Sequence, residues 1–61
     1  MTTLEKIKSA MLDVYSINED TRQKVKNAFD VETLIEILSR EYPQMARAIC
    51  FLRIIDILKN R

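Results

Sequence analysis

Apolar residues recur along this chain at spacings of three and four, and the phase of that recurrence breaks three times. Leu4, Ile7, Met11, Val14 and Tyr15 fall on one side of a helix, with Glu5, Lys6, Ser9 and Asp13 opposite, which predicts a helix over 4–15. Thr2 is placed to cap it, and Glu5 three residues on completes a capping-box pattern. Ser16 and Glu19 repeat that pattern, with Asn18 as an alternative cap. The helix expected next, over 17–28, has a narrow inward stripe of Ile17, Val25, Ala28 and Phe29. Arg22, Lys24 and Lys26 make its outer surface basic.

Asp30 is the strongest cap signal in the chain. It precedes Val31, Leu34, Ile35, Leu38 and Tyr42, which share a face, while Glu32, Glu36 and Arg40 lie outward. Phe29 just before the cap and Leu34 just after it match a hydrophobic staple. A strand over the same segment fails because alternation breaks at Leu34-Ile35 and again at Ile37-Leu38. A helix over 31–42 is therefore predicted. Pro43 disfavours helical geometry at Tyr42 and has no N–H for the Ser39 carbonyl. Either a new helix starts with Pro43 in its first position or one long helix is kinked there; a break is the expectation. The last helix is predicted over 44–59, with Lys59 and Arg61 complementing its C-terminal dipole. The fold class is thus all-α: a compact bundle of three to four short helices in one domain spanning 1–61.

The last helix is unusual. On a helical wheel Met45, Ala48, Ile49, Leu52 and Ile55 make one apolar arc, and Cys50, Phe51, Ile54, Ile57 and Leu58 make another. Arg53, Asp56 and Asn60 mark the polar strip between them, and Arg47 punctuates the second arc. A surface helix of a small domain normally shows one stripe. A chain of about 60 residues buries only about 60% of its unfolded surface, so it has few side chains with which to wrap such a helix completely. One arc is therefore expected to pack internally and the other to meet another chain. The expected interface is Cys50, Phe51, Ile54, Ile57 and Leu58, with Arg47 and Arg53 as a charged rim. A homodimer is its simplest form, because two-fold oligomers are the commonest, and a helix from a different protein is the other occupant.

Composition narrows the chemistry. The 61 residues include no His, no Gly, no Trp, one Cys and one Pro. No glycine-built phosphate loop, no disulfide framework and no His-dependent nucleophile is available, and no catalytic residue, cofactor or metal site is expected. Cys50, within Ala48-Ile-Cys-Phe-Leu, reads as a core thiol rather than a reactive one. Glu32, Glu36 and Glu41 read as a solvated helix surface rather than a cation site. The longest apolar run, Ala48 to Leu52, is far too short to span a bilayer, and the N-terminus lacks the apolar core of a secretory signal. A cytoplasmic location is expected. The cations Arg47, Arg53, Lys59 and Arg61 are scattered round the last helix, so no membrane docking is expected.

These features point to a small non-enzymatic regulator or adaptor that acts by protein–protein contact through its apolar last helix, with no small-molecule substrate. A phage or mobile-element regulator that occludes a host protein is one concrete form. The alternative is a helix-turn-helix-like nucleic-acid-binding transcriptional regulator, with helices two and three as the motif and Arg22, Lys24 and Lys26 meeting phosphates. Against that stand a net charge of only +1, and Glu32 and Glu36 near the start of the would-be recognition helix.

Overall fold

Three side-chain caps, each worth about 1 kcal/mol, determine where the chain turns helical. Thr2 Oγ1 accepts from the Glu5 N–H at 3.1 Å while the Glu5 carboxylate accepts from the Thr2 N–H at 3.3 Å, a complete capping box. Asn18 Oδ1 accepts from the Thr21 N–H at 2.8 Å, and Asp30 Oδ1 from the Thr33 N–H at 2.7 Å. The computed structural model describes residues 2–60. In it these caps open α1 (Thr3–Leu12), α2 (Glu19–Asn27) and α3 (Val31–Glu41), and α4 (Gln44–Lys59) follows. Arg61, expected at the C-terminal dipole, lies outside the described residues.

Pro43 separates α3 from α4, as expected, but as the residue that precedes α4 rather than its first helical residue. Tyr42 (φ −86°, ψ 140°) and Pro43 (φ −60°, ψ 154°) are both extended, so the chain turns a corner instead of continuing as a kinked helix. Unlike the other three helices, α4 starts with no side-chain cap and no acidic residue in its first turn.

All four helices contribute to one core, built on Ile7, Met11, Val25, Leu34, Leu38 and Cys50, with Tyr42 and Ile54 closing it. The closest helix partnership is α1 with α4. The Cα radius of gyration is 10.4 Å, against about 10.5 Å for a compact chain of this length. The bundle is therefore fully collapsed, and no strand occurs among the described residues.

Two expectations need correction, and in both the cause is tertiary. Helix α1 stops at Leu12 rather than Tyr15, and Tyr15 is 90% exposed in the following turn. The Met11 carbonyl, which the Tyr15 N–H would need in a longer α1, is taken by another element, and the turn beyond it is held from α2. The buried Tyr42 hydroxyl donates to the Met11 carbonyl at 2.8 Å, and Arg22 Nη1 donates to the Val14 carbonyl at 3.1 Å. The staple across Asp30 does not form either. Phe29 is 92% exposed, while its neighbour Ala28 turns inward and Leu34 packs in the core.

The Tyr42–Met11 bond yields a prediction. Burial, more than any nearby charge, pushes the Tyr42 hydroxyl from an ordinary 10.0 up to about 12. On raising the pH, the unfolded chain therefore releases this proton first. The stability it contributes is complete below pH 10 and is lost towards pH 12. Tyr42→Phe should cost about 1 kcal/mol in urea unfolding at neutral pH, the usual net worth of one hydrogen bond. It should also flatten the alkaline loss relative to the parent chain. A variant matching its parent in both respects would mean the bond contributes nothing.

Candidate functional site

The feature that stands out is the outer side of α4. Ala46, Cys50 and Ile54 recur every fourth residue and are buried, with Ile57 half-buried one turn further on. Two of the first three are small, which lets the helix axis come close to its neighbours. On the opposite side Met45, Ala48, Ile49, Leu52 and Ile55 remain exposed, and Leu58 borders them. Met45 is 79% and Leu52 70% accessible, against 3% for Ile54. These side chains leave roughly 500 Å² of apolar surface in water, within the range where a patch on a monomer is often functional.

The two arcs of this helix therefore exchange the roles expected from sequence. Of the expected interface, Cys50 and Ile54 are interior, Phe51 and Ile57 pack against the core from its edge, and Leu58 alone of the apolar five is exposed. The rim residues also act within the chain. Arg47 Nη2 donates to the Tyr42 carbonyl at 3.3 Å, at the corner between α3 and α4, and its Nε is buried without a partner. Arg53 lies 3.5 Å from the Asp13 carboxylate at the end of α1, an exposed pair of small energetic weight. Ala46, assigned to neither arc in the sequence, is the residue that reveals the inward one. The row of small residues at 46 and 50 was the available signal.

The basic residues of α2 are largely occupied. Arg22 is half-buried and bound to the Val14 carbonyl, and Lys24 Nζ sits 2.9 Å from Glu41 Oε2. Lys26 is exposed, and its backbone carbonyl accepts from Lys8 Nζ at 3.1 Å. Glu41 also accepts from the buried Thr21 hydroxyl at 3.1 Å, and these bonds hold its carboxyl below the ordinary range, with Lys24 the larger cause. Glu36 faces Arg40 at 3.5 Å in the anticipated i,i+4 pairing, while Glu32 is exposed at the start of α3. An open groove of about 560 Å³ between α2 and α3 runs past Lys24, Phe29, Thr33 and Glu41. No cluster of three potential metal ligands and no helix long and apolar enough to cross a membrane occurs among the described residues.

Comparison with protein-family models, with curated proteins and with solved structures gives no match. The outward face of α4 is thus the feature on which a functional reading rests.

Cys50 provides a check on this assignment of faces. Burial raises its thiol above the ordinary value, against a smaller opposing pull from Arg53. A soluble thiol reagent should label the native chain on the order of 100-fold more slowly than a free thiol, since access requires opening of the core. Ile54→Ala should destabilise the chain by about 2–4 kcal/mol in chemical denaturation. Rapid labelling together with a near-neutral Ile54→Ala would place this ridge at the surface instead.

Proposed function

We propose that this chain is a non-enzymatic docking module, a regulator or adaptor that acts by protein–protein contact through the outward apolar stripe of α4. The observation that carries the reading is the exposure of Met45, Ile49, Leu52 and Ile55 on a well-formed helix whose inward ridge already closes the core. The stripe does not stabilise the isolated bundle, and covering it removes large apolar side chains from water at about 25 cal/mol per Å². Its surroundings suit recognition. Arg53 and Asp56 border it along one side and Lys59 ends it, so these charges lie at one edge and at the C-terminal end, where they set register more than affinity.

The mode of action that follows is stoichiometric. A partner helix or groove lies along the stripe, and whatever function that partner surface had is blocked or recruited. The polar side chains support the same reading: Arg22, Lys24, Glu41 and Asp13 are engaged in bonds that hold the bundle together.

Affinity capture from the native host tests this directly, with retained proteins identified for the parent chain and for Leu52→Glu. The parent should retain a defined protein, whether a copy of itself or another chain, and Leu52→Glu should retain at least 10-fold less, the cost of charging a central contact. Circular dichroism should show the variant folded, because position 52 faces solvent. Undiminished capture by Leu52→Glu would remove α4 from consideration as the docking face.

A further inference from the structure

Resting on the docking role of α4, we infer that the occupant of its stripe is a second copy of this chain, with the two α4 helices antiparallel about a two-fold axis. Three observations lead there.

The first is spacing. Met45, Ala48, Leu52 and Ile55 follow one another at intervals of three, four and three, the seam of a helix pair, with Ile49 beside it. This stripe is about 15 Å long and is centred at the level of residue 50. An antiparallel copy overlaps it fully only when the axis passes that level. Met45 then lies opposite Ile55 of the second copy, and Ala48 opposite Leu52. Each pair sets a small or adaptable side chain against a bulky one, which allows close approach at the centre.

The second is area. Complete cover of that patch on both copies removes roughly 1,000 Å² from water, the least that a specific protein–protein interface needs. One helix face meets that bound only if its partner contributes a face of equal length and apolarity. Its own copy does so, and a net charge of +1 imposes little repulsion between two copies.

The third is the ends of α4. Its first turn has no side-chain cap and no acidic residue, so its N–H groups and the positive end of its dipole are uncompensated. At the other end of the same face lies the exposed carboxylate of Asp56. Antiparallel pairing brings Asp56 of each copy alongside the open first turn of the other, and Lys59 overhangs into solvent beyond it. A parallel pair would set Asp56 beside Asp56 and Lys59 beside Lys59, with the helix dipoles aligned. The antiparallel pair is the favourable one.

Sedimentation equilibrium and light scattering on the full chain test the inference. The parent should approach twice the 7.2 kDa of a single chain as concentration rises. Leu52→Glu should weaken that association about 100-fold, as expected for a charge placed at the centre of an interface. Met45→Glu should do likewise while adding the missing acidic residue to the first turn of α4, so its helix content stays intact. Under oxidation, a mixture of Met45→Cys and Ile55→Cys chains should form a crosslinked dimer that neither chain forms alone. A chain that stays monomeric to about 1 mM, far above useful dimer affinities, overturns the second copy as occupant, while host capture lost in Leu52→Glu would still uphold the docking face. A dimer indifferent to both glutamate variants likewise overturns the second copy as occupant of α4, and only undiminished host capture by Leu52→Glu overturns the docking face itself. Disulfide-linked dimers formed by Met45→Cys chains alone, through position 45 of both, overturn the antiparallel arrangement.

Discussion

The approach of α4 to the rest of the bundle governs this molecule. Its ridge of Ala46, Cys50 and Ile54 seats in a core to which α1, α2 and α3 contribute Ile7, Met11, Val25, Leu34 and Leu38. Small side chains at 46 and 50 admit the helix closely, and Ile54 fills the space beyond them. A helix seated by so narrow a ridge presents the rest of its circumference outward. Among the described residues nothing covers Met45 and Leu52 on the far side. The exposed stripe is thus the geometric complement of the inward ridge.

Around that contact, polar side chains tie together elements distant in sequence. Tyr42 closes the end of α1 through the Met11 carbonyl, and Arg22 holds the following turn through the Val14 carbonyl. Lys24, Glu41 and Thr21 link α2 to the end of α3, and Lys8 reaches the Lys26 carbonyl at the end of α2. With no disulfide available, such bonds add to packing in fixing the helix arrangement.

Much of the architecture was legible in the residues. Thr2 and Asp30 announce helix starts, because a capping oxygen satisfies backbone donors only a few residues away, whereas the second start lies open between Ser16 and Asn18 in the sequence and falls to Asn18. Pro43 announces the corner, because its ring constrains Tyr42 whatever surrounds them. The inward faces of α1 and α3 follow from period, with Ile7, Met11, Leu34 and Leu38 buried. At two places local and distant forces compete. Tyr15 fits the period of α1, but the Tyr42 hydroxyl takes the Met11 carbonyl that the Tyr15 N–H would need. Phe29 fits a staple, but Ala28 turns inward in its place.

The chain alone therefore determined the helical segments, their order and the caps at Thr2 and Asp30, since each depends on interactions within a few residues. It also determined that α4 carries two apolar arcs. Which arc turns inward was decided only in the folded bundle. Periodicity gives both arcs equal standing, whereas packing weighs volume, and the smaller residues at 46 and 50 fit the close approach that Met45, Leu52 and Ile55 would have blocked.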